Sequence, residues 1–513
     1  MAKTCYSLIL LIVLGFVSSE ILPSSQADAA VTRKKFDFVL GVDGDFKAAM
    51  TVAGKAASSG SRFFLFFPKG EYNIGKLTGD SNGVTTFSTS NVSFIGENAD
   101  STIIFNQSVQ EGISITSTLY FYKADNLYLQ DLTILNKANY RNSADLSKTG
   151  RHVAVKEQGN KIIYKNVKLL STQDTYYTCG TRTYWEDGEI HGTVDFICGQ
   201  GDVFFNRCLL YLERDKSCIA APATKSSWGY VFINCTIDGT GSNHLLGRSW
   251  DNQPKCVYIN TTMKKLPTSA AWGEPMNVVP SLFAEYNSKT ASGSSVDISG
   301  RRSNYTKNGT TVNLKPVLTS EQAAKYTVEN VLKGSDNWQP DKLTQQVNAP
   351  VAFIEGKLLK WDDNDRVLCW VVFKDKKFYK CVTVNSCEIS ADKADAKYTV
   401  RAANEMGGLS PFSNTVSGAV TTVSAGSELS SKKSVLIYNS EKKLLFINNL
   451  SVGKMNIEIL SLNGKSVLSK NCIAGSGECK VKTSLDGLKS GIYLVRIESE
   501  GSAKIQCINI FSR

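Results

Sequence analysis

The sequence is short of the residues that most metal and nucleophile chemistry depends on. It has only three histidines, His152, His191 and His244. No CxxC or HExxH spacing occurs, so a structural or catalytic metal lacks its usual ligands. No Gly-x-Ser-x-Gly elbow is present, which disfavours a Ser-His-Asp hydrolase. Beyond the first thirty residues no stretch approaches the 18 apolar residues of a membrane-spanning helix. Helical periodicity of useful length is missing from about 90 to 265. Acidic residues are outnumbered, 47 against 58 Lys and Arg, for a formal charge of +11. A basic surface suits a polyanionic partner, though solubility alone accounts for the same sum.

At 513 residues the chain predicts two to four domains. It is 42% hydrophobic and 20% charged, which is ordinary globular usage and excludes a mostly disordered, collagen-like or polytopic membrane protein. Residues 1–30 read as an export signal. Lys3 supplies a positive start, 8–17 is an apolar run too short to span a bilayer, and Ala27-Asp28-Ala29 offers a small-x-small cleavage site. Cys5 precedes the apolar run and is no lipoprotein acceptor. Export permits disulfides. Most of the later cysteines nevertheless sit in apolar strand-like runs, where a buried free thiol is expected. Cys381/Cys387 and Cys472/Cys479 are the pairs to test for bridges.

A short pattern recurs from about 90 to 265: apolar, aromatic, any residue, then Asn or Asp. It occurs as Ile163-Tyr164-Lys165-Asn166, Tyr184-Trp185-Glu186-Asp187, Val203-Phe204-Phe205-Asn206, Val231-Phe232-Ile233-Asn234 and Val257-Tyr258-Ile259-Asn260. The Asn/Asp positions are separated by 21, 19, 28 and 26 residues. Each copy is a β-branched, aromatic-rich strand bounded by turn residues. Such units with little helix predict a right-handed parallel β-helix, one coil per unit, with stacked side chains inside. A β-sandwich would show shorter, more regular spacing with hairpin turns. The expected architecture is all-β: a β-helix over 31–345, a small sandwich over 346–418, a linker at 419–434 and a further β unit over 435–513. Residues 320–334 read as one short helix, opened by a Ser or Thr cap and stopped at Gly334.

Two aspartates stand out. Asp174 follows Asn166 by eight residues, and Asp195 follows Asp187 by eight. Equal offsets in successive coils place the side chains one above the other, at about the 4.8 Å strand spacing. Two carboxylates that close cannot both ionise freely, which leaves an acid beside a carboxylate. That pair equips a site for nucleophilic attack with general-acid assistance. Read singly, each Asp is also a common coil-corner turn residue. Arg248, in Leu-Gly-Arg248-Ser-Trp250, is suited to hold Asp195 ionised through its bidentate fork, or to bind a substrate carboxylate. Trp250 offers a flat platform for a sugar ring, and Gln173 an N–H for a developing oxyanion. Each has a plainer reading: a surface ion pair, a core aromatic, a turn amide.

Taken in order, these segments resemble the pectin methylesterases, from about residue 32 to 340. The resemblance includes Asp43-Gly-Asp-Phe, Phe64-Leu-Phe-Phe-Pro-Lys-Gly-Glu-Tyr72, Gln173-Asp174-Thr175, Gly192-Thr-Val-Asp-Phe-Ile197, Trp272-Gly-Glu and Phe283-Ala-Glu-Tyr-Asn. It implies Asp174 as general acid/base, Asp195 as nucleophile and Gln173 as transition-state stabiliser. It also implies Arg248, Trp250, Tyr177 and Val194 in the substrate groove. The implied substrate is methyl-esterified homogalacturonan, the implied product methanol, and no cofactor or metal is needed. A secreted monomer is expected, with no nucleic-acid partner. Residues 350–418 resemble fibronectin type III domains. The last unit, with Gly491-Ile-Tyr-Leu, resembles the C-terminal sorting domains of type IX secretion and implies that machinery as a partner.

The chain departs from the family pattern in places. Cys198 stands where an aromatic is usual, and Ser249 replaces a proline. Arg151 or His152 falls where a second oxyanion glutamine is expected, and neither is given a role. A β-helical glycosidase or lyase, which also uses paired acids, and a noncatalytic polysaccharide binder are the competing readings.

Overall fold

The computed structural model describes residues 31–57, 60–138, 150–355, 357–389, 395–417 and seven strands between 435 and 510. The expected signal segment lies outside the described residues, as does Cys479 of the expected Cys472–Cys479 bridge. Among the described residues no helix is long and apolar enough to cross a membrane.

Three long parallel sheets wrap one interior, as the coil-length repeat predicts. The first has ten strands, from Phe38–Val39 to Leu282–Tyr286; the second has seven, from Thr85–Phe87 to Leu245–Gly247; the third has nine, from Gly70–Asn73 to Lys289–Thr290. Each central coil contributes one strand to each sheet, so in-register neighbours come from successive coils. Tyr164 pairs with Trp185, Trp185 with Phe205, Phe205 with Phe232 and Phe232 with Tyr258. These aromatics are fully buried and their rings pile along the axis, at 4.0 Å for Tyr164–Trp185, 4.4 Å for Phe205–Phe232 and 4.5 Å for Phe232–Tyr258.

Such a stack buries most of its apolar area against like neighbours, so a hole in the middle has ring atoms on two sides. Phe232→Ala is expected to destabilise the fold by about 3–5 kcal/mol. A urea midpoint unchanged at constant slope would show that the neighbouring rings collapse into the space.

Turns between the first and third sheets take the left-handed conformation, which Asn and Asp tolerate best. Asn166, Asp187, Asn234 and Asn260 have φ of 49°, 53°, 55° and 53°. The fifth expected turn residue is displaced by one. Asn206 ends its strand, paired with Glu186, and Arg207 takes the turn at φ 55°. Its guanidinium donates to Asp187 at 2.7 Å, an anchor that a β-rich reading of Phe-Phe-Asn does not reveal.

The predicted helix over 320–334 is two helices, Ser320–Ala323 and Val328–Leu332. Thr319 caps the first in a reciprocal box with Gln322, and Thr327 caps the second by accepting from Asn330 N–H. Between them Tyr326 meets Trp228 edge-on at 5.2 Å. An 11-residue helix that the sequence reading did not include, Phe46–Ala56, presents Phe46, Ala49 and Ala53 to the interior and is capped by Asp45.

Residues 352–417 form two antiparallel sheets of three and four strands. Trp361 and Trp370 meet between them, with ring centroids 5.9 Å apart. This layer packs on the first β-helix sheet. Phe378 lies 5.4 Å from Phe66, and buried Arg401 donates to Glu97 O at 2.5 Å and to Asp131 at 3.2 Å. Cys381 and Cys387 are both free thiols, on strands of different sheets, so the expected bridge is absent. Cys198, Cys208, Cys218, Cys235, Cys256 and Cys369 are buried free thiols, as their apolar settings predict. A second compact unit begins after Val420, and its described strands form antiparallel sheets of three and four strands.

Candidate active site

The site lies where the third sheet turns into the second. Tyr176 pairs with Ile197, so Asp174 and Asp195, each two residues earlier, occupy equivalent corners of successive coils. Both are left-handed, with φ of 59° and 51°. The turn reading and the site reading of these residues are therefore compatible, because the turn is what aims them. Hydroxyls and amides lace the corners together. Asp174 N–H donates to Val194 O at 3.2 Å, His152 N–H to Gln173 O at 3.2 Å, and Thr175 Oγ1 to His191 O at 2.7 Å. Gly192 is required by closeness alone, since a Cβ there would meet Phe196 Cβ at 2.1 Å and Thr172 O at 2.7 Å.

Gln173, Asp174, Asp195, Arg248 and Trp250 line one cavity of about 220 Å³, with Ile113, Arg151, Cys198, Ala221 and Met276. This cavity brings together five of the seven sequence-selected residues, including the two aspartates of equal offset. Tyr177 and Val194 stand outside this lining. The Tyr177 ring lies 6.1 Å from that of Trp250, and Val194 serves through its carbonyl.

Both aspartates are buried, and their surroundings differ. Arg248 grips Asp195 with both arms of its guanidinium, Nε to Oδ1 at 2.9 Å and Nη2 to Oδ2 at 2.5 Å. The fork raises the arginine's own pKa. Among the described residues Asp174 has no such partner. Burial, and then the charge of Asp195, push its pKa up to about 8. The site therefore holds an arginine-aligned Asp195 beside a neutral carboxylic acid at Asp174. Cys198 is no competing nucleophile, because burial and then the two nearby aspartates hold its thiol well above the usual range.

Arg151, not His152, faces the cavity. It pairs with Gln173 in a parallel bridge and donates to Glu111 through Nε at 2.8 Å and Nη2 at 2.5 Å. The hydrogen bonds from Arg151 hold Glu111 at about 2. His152 turns inward against Ser108, Nδ1 to Oγ at 2.9 Å, and burial lowers its pKa. The Glu111–Arg151 pair joins residues 40 apart and has no local signature along the chain. Arg151 is also the foremost charge opposing the upward shift of Asp174. Arg151→Met is therefore expected to raise the Asp174 titration midpoint further, as followed by carboxyl ¹³C NMR. An unmoved midpoint would place the guanidinium outside the field of Asp174.

A parallel β-helix with two buried carboxyl groups lining one lateral cavity is the class of architecture that the fold and the site define. Within it, the chain belongs to the pectinesterase family: residues 43–335, more than half of the sequence, match the Pectinesterase family model. Residues 434–510 match a secretion system C-terminal sorting domain. The chain is 28% identical to probable pectinesterase/pectinesterase inhibitor 21 of Arabidopsis thaliana over 49% of its own length and 38% of that protein. It is 26% identical to pectinesterase 2 of Citrus sinensis over 56% and 55%. It thus spans about half or less of the length of these curated relatives. Among solved structures it is similar to pectin methylesterase PemA from Erwinia chrysanthemi, with 25% identity, a TM-score of 0.46 and coverage of 61% of this chain and 99% of that one.

Proposed function

We propose that this protein hydrolyses the methyl esters of galacturonate units in pectin, releasing methanol. The observation that carries the reading is the asymmetry of the pair: one buried aspartate is held by an arginine fork, while its neighbour in the same cavity has its pKa raised. In this reading Asp195 attacks the ester carbonyl and the carbonyl π electrons pass to oxygen, where the Gln173 side chain donates to the oxyanion. Collapse breaks the bond to methoxide, which takes the Asp174 proton and leaves as methanol. An acyl-enzyme anhydride remains on Asp195. Asp174, now ionised, removes a proton from water, and the resulting hydroxide attack breaks the anhydride bond to Asp195, which restores both groups and releases galacturonic acid that gives its proton to solvent. Arg248 keeps Asp195 aligned throughout, Trp250 and Tyr177 offer ring faces to the sugar, and Val194 contributes to the groove wall.

The sorting domain supports export as the route by which the enzyme meets an extracellular polysaccharide. The test is a product assay on methyl-esterified pectin. Methanol is expected, without new reducing ends and without unsaturated products. Reducing ends in place of methanol would make the pair a glycosidase.

A further inference from the structure

The second sheet continues from the cavity as a row of outward-facing side chains. Its register pairs Tyr120 with Lys156, Lys156 with Tyr177, Tyr177 with Cys198 and Cys198 with Ala221. In-register partners on parallel strands point to the same face. Their chain neighbours Leu119, Phe121, Val155, Glu157 and Tyr176 are buried in the interior. Tyr120, Lys156 and Tyr177 therefore share one outer face with Cys198 and Ala221, which line the cavity. Lys156 stands two rungs from Cys198, about 10 Å along the axis at the usual strand spacing.

Lys156 is held in an unusual way for a surface lysine. Its Nζ lies 4.5 Å from the Tyr120 ring centroid and 5.4 Å from that of Tyr177. The Tyr120 hydroxyl is tied to Gln158 at 2.8 Å. Two ring faces attract the cation and limit its rotamers, and among the described residues no carboxylate forms an ion pair with it. The result is an ammonium group fixed beside the groove with no carboxylate partner among the described residues. The same rings continue to Trp250 through Tyr177.

We infer that Lys156, flanked by Tyr120 and Tyr177, is a subsite for a free uronate carboxylate on the polymer chain whose esterified unit lies at Asp174 and Asp195. The assignment rests on the esterase reading. An ammonium donates strongly to a carboxylate and only weakly to a neutral methyl ester. The protein then favours chains already partly de-esterified, and each unit it converts becomes a new anchor for the next event.

The test has two arms. In the first, unesterified oligogalacturonate is titrated calorimetrically into wild type, Lys156→Met and Lys156→Arg. The dissociation constant is expected to rise about ten-fold in Lys156→Met, the loss of one charge-assisted bond, and to recover in Lys156→Arg. In the second, methanol release is measured on pectins of high and low ester content. KM on the low-ester pectin is expected to rise several-fold more than on the high-ester pectin in Lys156→Met. Equal oligogalacturonate affinity with and without Lys156, or an equal KM rise on both pectins, overturns the subsite. Lys156-dependent binding by a wild-type protein that releases no methanol would sink the esterase reading and leave the carboxylate subsite standing.

Discussion

Asp195→Asn is expected to lower kcat for methanol release by about 10⁴-fold or more, the usual cost of removing a nucleophile whose partners act as one unit. The substitution is nearly isosteric, and Asn tolerates the left-handed φ of 51° at this corner. Folding should therefore survive. The electrostatics should change more than the shape. Arg248 loses the anion that its two bonds grip, and Asp174 loses the neighbouring charge that, after burial, does most to raise its pKa. The Asp174 midpoint is expected to fall toward the ordinary carboxylate range, read by carboxyl ¹³C NMR, in the same variant that has lost turnover. Near-normal turnover in Asp195→Asn would remove Asp195 from the nucleophile role. Lost turnover with an unmoved Asp174 midpoint would mean that the two carboxyls do not feel each other.

The part of this arrangement that could be read from the sequence is the part that repeats. Asn166 and Asp187 mark equivalent corners, and counting eight residues onward from each reaches Asp174 and Asp195. The register of Tyr176 on Ile197 is what makes that count meaningful. Arg248 was legible for a related reason, since its distance from the corner Asn234 puts it in a coil beyond that of Asp195. What stayed hidden depends on contacts without a period. Glu111 reaches Arg151 from a loop beyond the repeated turns. Arg207 replaces an asparagine at a left-handed corner because its guanidinium finds Asp187, and side-chain pairing between coils is invisible to a strand pattern. The helix Phe46–Ala56 was masked by its small residues, since Ala49 and Ala53 make a narrow apolar face. Cys381 and Cys387, close in sequence, were separated by the assignment of their strands to different sheets. Proximity along the chain was a poor guide there, and coil register was a good one.

Asp174→Asn is expected to separate function from stability. As the group that protonates methoxide and then activates water, Asp174 should be worth about 10²- to 10⁴-fold in kcat. The residual activity of the Asn variant should be nearly independent of pH, whereas wild-type kcat/KM should decline as pH rises through about 8, where the acid form is lost. Stability should move the other way. A group whose folded pKa is raised contributes stability that is full below its unfolded value, near 3.8, and lost as pH rises toward the folded value of about 8. At pH 8 the wild-type fold therefore carries the cost of a buried carboxyl that the unfolded chain ionises freely. Asparagine fills the same space, suits the φ of 59° and has no charge to desolvate. Relative to wild type, the variant should be more stable at pH 8 by on the order of 5 kcal/mol, or about 5–10 °C in Tm, and the difference should close toward pH 4. A Tm difference that is flat with pH would show that Asp174 titrates alike in the folded and unfolded chains, and the cavity would then hold two ordinary carboxylates in place of an acid and a base.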